Sequence, residues 1–125
     1  MTYARTRSRP WPQDKYILDG HTVVPQPDLK RWGQWMQGAN RSVRRTQPRP
    51  GVLVSTVFLG LDHSFGGDKP HLFETMVFIN HGKGGNVLGD GVECERTSTW
   101  GEAEDAHKRW VEKASDPNWD RWRGE

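Results

Sequence analysis

The sequence predicts an α+β fold: a single domain, an antiparallel five- to six-stranded sheet with two helices packed on one face. Three observations carry that expectation. Two apolar runs, Val52–Leu59 and Leu72–Ile79, flank a polar insert reading DHSFGGDKPH. Their β-branched and aromatic content and short length make them strands, and the Gly/Pro-rich insert makes them a hairpin with a long tip. Two other segments, 28–40 and 99–114, repeat their apolar residues at helical spacing instead. Asp19-Gly20 lies between two short β-prone runs, a two-residue turn signal.

Taken in order, residues 1–14 (MTYARTRSRPWPQD) hold three alternating arginines and two prolines around Trp11 and follow neither period. They read as a basic extended arm, disordered alone or lying on a neighbouring subunit, with contact to nucleic acid as the functional alternative. The domain proper spans 15–115. Lys15–Leu18 and His21–Val24 form strands around Asp19-Gly20, and Pro25 and Pro27 stop the second. Asp28 caps a helix over LKRWGQWMQGAN, whose Leu29, Trp32, Trp35, Met36 and Ala39 share a face. That stripe reads as core rather than as a ligand platform.

Ser42–Gln47 opens the sheet, and the PRPG run turns the chain into Val52. Arg41, Arg44 and Arg45 then lie near a sheet edge, where basic residues discourage edge-to-edge pairing. In the two apolar strands both alternating faces are apolar, so both faces call for cover: one by the helices, the other by a second subunit. Glu74 is the exception and needs a cationic partner or a marginal position. Asn80–Gly91 is glycine-rich, but its HGKGGN lacks the frame of a phosphate-binding loop. Val92–Arg96 closes the sheet. Thr99 and Glu102 have capping-box spacing, starting a helix that runs to Ala114. The 116–125 tail is Trp-rich, with Trp119 and Trp122 placed to dock back.

At 125 residues with 33% hydrophobic content, the core is small for the chain, although seven tryptophans compensate in part. The small core and the doubly apolar hairpin predict a homo-oligomer. A lone Cys94 allows no internal disulfide and suits a reducing cytoplasm. No apolar run is long enough to span a membrane, and no signal-peptide pattern follows the first arginines. The net charge of +2 is uneven. Residues 1–50 hold ten Lys/Arg against three Asp/Glu, a net +7, and the rest hold eight against thirteen, a net −5. Such a split suits an anionic partner at one end or head-to-tail association.

Three segments, STVFLGLDHSFG (Ser55–Gly66), LFETMVF (Leu72–Phe78) and RTSTWGEAEDAH (Arg96–His107), resemble a family of small phage and prophage proteins of unassigned activity. The resemblance covers roughly Tyr16 to Ala114. It implies provenance, a bacterial virus or prophage acting in the host bacterial cytoplasm or in the virion. It lends no catalytic residue.

Asp62, His63, His71 and Glu74 are the nearest thing to a chemical cluster, able in principle to hold a metal or act as an acid–base pair. No HxH, HExxH or CxxC spacing supports a metal, and no serine sits in a nucleophile elbow, so no catalytic residue, metal or cofactor is assigned. The plainer reading makes Asp62 an Asx-type turn residue. The expected function is that of a non-enzymatic binding protein, a host-immunity inhibitor that sequesters a nucleotide signal or masks a host defence protein. A virion or assembly component and a nucleic-acid-binding accessory protein are the alternatives. A nucleotide site needs cations for phosphate and an aromatic face for the base. The expected set is Arg41, Arg44, Arg45, Asp62, His63, Phe65 and Arg109, meeting at the 60–71 loop.

Overall fold

The computed structural model describes residues 14–64, 68–80 and 90–119. The arm, Phe65, the HGKGGN stretch and Trp122 lie outside them. The order of elements is β1 (Tyr16–Asp19), β2 (Thr22–Pro25), α1 (Leu29–Gly38), β3 (Ser42–Arg49), β4 (Val52–Phe58), β5 (Phe73–Ile79), β6 (Asp90–Thr97) and α2 (Trp100–Ala114). The fold is α+β, but the single sheet expected from the sequence is two. β1 and β2 form a separate antiparallel pair, and β3-β4-β5-β6 form a four-stranded antiparallel meander. The hairpin is held by side chains, with Tyr16, Leu18 and Val23 packed against Phe58, Leu72 and Phe73, and by its backbone, with the Tyr16 N–H donating to the Gly60 carbonyl and the Asp62 N–H to the Asp14 carbonyl, both at 2.9 Å.

The hairpin also turns one residue later than the Asp19-Gly20 signal suggests. Asp19 pairs with Thr22, leaving Gly20 and His21 as the two-residue loop, with Gly20 at φ 63°. A glycine at positive φ is wanted at the first loop position in both favoured hairpin turns. Gly20 takes it, and His21 follows into the loop rather than into the strand.

The meander is built on a strict period of two. Val52, Val54, Thr56 and Phe58 of β4 and Phe73, Thr75, Val77 and Ile79 of β5 are all buried on one face. α2 lies across that face, burying Ala103, Ala106, His107 and Ala114. Its small residues let the helix approach the sheet closely. Two apolar clusters result. One joins Val52, Val54, Val77 and Ile79 to Ala114, with Trp110 and Trp119 against it. Trp119 thus docks back as the sequence suggests, with its ring 6.2 Å from that of Trp110. The other is a row of rings. Trp35 of α1 meets Phe58 edge-on at 5.7 Å, Phe58 meets Phe73 at 5.2 Å, and Phe73 meets Trp100 edge-on at 6.3 Å. His21 stacks flat on Trp100 at 3.7 Å. Aromatic contacts of this kind add about 0.5–1.5 kcal/mol each beyond area burial.

α1 is the least embedded element. Asp28 caps it, accepting from the Arg31 N–H at 3.1 Å, but none of its residues is fully buried. It is held by Trp35 against Phe58 and at Gly60, where Trp32 Nε1 donates to the Gly60 carbonyl at 3.1 Å and Met36 lies over the glycine. The expected extension to Asn40 does not form, because Ala39 is already extended. α1, the hairpin and α2 all pack on the same side of the meander. The other side, presenting Leu53, Val57, Met76 and Phe78, is covered by no described element.

Candidate functional site

The structure gives each nominated residue a definite place. Asp62 orders the 60–71 loop. Its Oδ1 accepts from the backbone N–H of Ser64 at 2.8 Å and of His71 at 2.9 Å. The His63 N–H donates to the His71 carbonyl at 3.1 Å, which closes the neck of the loop. Among the described residues no group of three or more His, Cys, Asp and Glu is arranged to hold a metal. Glu74 has left the supposed cluster: it pairs with Arg96 at 3.1 Å across the uncovered sheet face.

The nominated arginines do not meet. β3 and β6 are opposite edges of the meander. On the β3 edge, Arg41 donates to the Phe58 carbonyl at 3.2 Å, and Arg44 pairs with Glu104 of α2 at 3.4 Å. Arg45 is opposite Ser55 in the register and stands on the uncovered face. Arg109 is on the other flank of α2, 2.6 Å from Glu95 of β6. The single cleft expected from 41–45 and Arg109 is therefore divided by the body of α2. The sequence conceals this because charge is read along the chain, whereas strand order separates β3 from β6.

What does approach Arg109 is the end of the loop. Lys69, His71 and Arg109 line a cleft of about 320 Å³ between the loop, β6 and the start of α2, and Arg96 borders it while its guanidinium pairs with Glu74 on the opposite face. Ser98 and Thr97 contribute hydroxyls, and Thr97 Oγ1 is buried with no hydrogen-bond partner among the described residues. Glu95, Glu102 and Asp105 line it too. Glu95 holds Arg109 and accepts from Trp110 Nε1 at 2.8 Å, and Glu102 holds Lys69 at 3.0 Å. The Ser98 N–H, then the Lys69 ammonium, keep the Glu102 carboxyl below the usual range. The carboxylates thus pin two of the cations in place.

A second polar assembly escaped the sequence reading. His107 is 2% exposed. Its Nε2 lies 2.8 Å from Thr46 Oγ1 and its Nδ1 lies 2.8 Å from Thr56 Oγ1, which in turn is 2.8 Å from Thr75 Oγ1. One polar thread therefore ties β3, β4 and β5 to α2 between the two apolar clusters. Burial, and secondarily the Arg44 charge, push His107 below the ordinary imidazole range. A neutral ring donates at one nitrogen and accepts at the other, and hydroxyls can answer both. The sequence does carry the signal: a histidine inside the apolar stripe of α2, and one threonine at the centre of each apolar strand.

Cys94 stands on the uncovered face with its Sγ 3.4 Å from Glu74 Oε2. Burial and the neighbouring carboxylate raise its pKa, which keeps it a thiol rather than a nucleophilic thiolate. No helix among the described residues is long and apolar enough to cross a membrane. No family model matches the chain, and no curated protein or solved structure matches it.

Proposed function

We propose that the protein is a non-enzymatic binding protein of phage or prophage type that sequesters a small phosphate-bearing ligand of the nucleotide class, such as a host defence signal. The observation that supports this reading is the convergence of Lys69, His71 and Arg109 beside the loop ends that Asp62 ties together. Ser98 adds a hydroxyl, and a ligand oxygen would give Thr97 the partner it lacks. The site differs from the one the sequence suggests, because Lys69 and His71 join Arg109 in place of the 41–45 arginines.

The charges around the cleft set the character of binding. Two cations, Lys69 and Arg109, face three carboxylates, so the cleft is not a long-range trap for anions. Recognition has to come from short, charge-assisted hydrogen bonds, with the ligand displacing Glu95 and Glu102 from Arg109 and Lys69. Affinity then falls as salt rises.

The test is calorimetry of the purified chain against cyclic di- and trinucleotides and cyclic ADP-ribose isomers, beside single-stranded and duplex DNA. One molar equivalent of a nucleotide per site is expected. Lys69→Glu and Arg109→Glu abolish binding, whereas Arg44→Glu, on the far flank of α2, leaves it intact. Binding to long DNA alone would replace this reading with a nucleic-acid accessory role. Silence from every ligand would leave the masking of a host protein as its successor.

A further inference from the structure

The meander has one face packed and one bare, in that no described element covers it. On the bare face Leu53, Val57, Met76 and Phe78 stand half-buried in two adjacent strands. Phe78 and Met76 lean over Gly91, where a Cβ would meet Met76 Cε at 2.8 Å and Phe78 Cε1 at 3.5 Å. The apolar stripe thus reaches across β6. At its two borders the face carries charge of opposite kinds. Arg45, on β3, is exposed and has no ion-pair partner among the described residues. Glu74, on β5, receives Arg96 and Cys94, and all of these contacts end on Oε2, leaving Oε1 for another donor.

We infer that this face is the contact surface for a second copy of the chain, in a two-fold, face-to-face dimer. Symmetry and register select the second copy. Arg45, Ser55, Met76 and Cys94 form one row across the sheet, and Val57, Glu74 and Arg96 form the next. A two-fold axis parallel to the strands lays β3 of one protomer over β6 of its partner. Each Arg45 then comes over the row beside the opposite Glu74, and each apolar stripe meets the other. The unpaired cation and the open carboxylate oxygen are thus complementary twice over, as an isologous interface requires.

The edges of the sheet offer no competing mode. β3 has register breaks between Ser42 and Arg44 and between Thr46 and Arg49, with Pro48 inside the second, and β6 has one opposite Val77 and Phe78. Breaks and proline blunt an edge against strand addition. The face itself measures roughly 440 Å² in projection, from strands about 4.8 Å apart and a rise of about 3.3 Å per residue. Side-chain relief raises that toward the ~600 Å² per partner at the lower end of specific interfaces, so the dimer is one that dilution dissociates.

Sedimentation equilibrium of the full chain, from about 1 to 100 µM, reads the equilibrium directly. The expected mass rises from 14.4 kDa towards twice that value. Phe78→Lys abolishes the rise. Because that change also touches a central strand, Arg45→Glu at an exposed site gives the independent reading, with dimerisation weakened at least tenfold and an unchanged thermal midpoint at low concentration. A monomer at the highest concentration overturns the inference, as does a dimer that neither substitution weakens.

Discussion

At the scale of single residues, His107 has the most to say about stability. Its proton is bound more readily by the unfolded chain than by the folded one, because burial and Arg44 disfavour the cation. Stability is therefore fully present above the ordinary imidazole value of 6.5 and drains away as pH falls through it toward the lower folded value. The clean measurement is a difference. The thermal midpoint of the wild type, followed from about pH 8 to about pH 5, falls more steeply than that of His107→Gln, which keeps polar atoms but cannot charge. Thr56→Val removes the centre of the thread and leaves His107 Nδ1 and Thr75 without their partner. It costs about 1–3 kcal/mol, measured by urea denaturation. Asp62 was legible from its residue type and place, since a short carboxylate at a loop entrance commonly accepts local N–H groups. His107 was legible only as an odd member of the α2 stripe, because a stripe position looks the same whether it meets leucine or a threonine hydroxyl.

At the scale of elements, the sequence speaks clearly where local chemistry decides. Thr99 caps α2, accepting from the Glu102 N–H at 3.1 Å, and the helix ends at Ala114 as the pattern suggests. The Glu102 carboxylate reaches back one residue further than a standard capping box, to the Ser98 N–H at 3.0 Å. Thr99→Ala lowers stability by about 1 kcal/mol, visible as a shift in the denaturation midpoint without a change in slope. The joint between α1 and the end of β4 is less forgiving. Gly60 has φ 80°, and a Cβ there would stand 2.6 Å from Met36 Sδ. Gly60→Ala should destabilise by more than about 1 kcal/mol, with α1 released first in hydrogen exchange. That joint was illegible. Nothing local distinguishes Gly60 from any other glycine after a strand, and its partner lies on a helix more than twenty residues earlier.

For the molecule as a whole, the uneven charge along the chain becomes a suture. The basic early residues supply β3 and the acidic later ones supply β6 and α2. Arg44 to Glu104, Arg49 Nε to the Ala114 carbonyl at 2.8 Å, and Arg109 to Glu95 stitch α2 down on both flanks. Arg49 also meets the negative end of the helix dipole. Part of the charge asymmetry that suggested a distant anionic partner is thus spent inside the fold, through Arg44 on Glu104 and Arg49 on the end of α2. The edge strands make a further expectation. A Pro48→Val, Arg45→Val double variant flattens the β3 edge and removes its charge, and should scatter light or bind thioflavin on incubation where the wild type does not.

The meander has one more consequence, and it concerns time. Each of its strands pairs only with its neighbour in sequence, so the ladder can zip as the chain leaves the ribosome, the longest connection to close being the one that spans 59–72. Its packed face has no such advantage. Val54, Thr56, Phe73 and Val77 wait for α2, which starts only at Trp100. Until that helix emerges, the nascent sheet shows apolar surface on both sides, and its vulnerability to misassociation is set by how long translation of the last quarter takes.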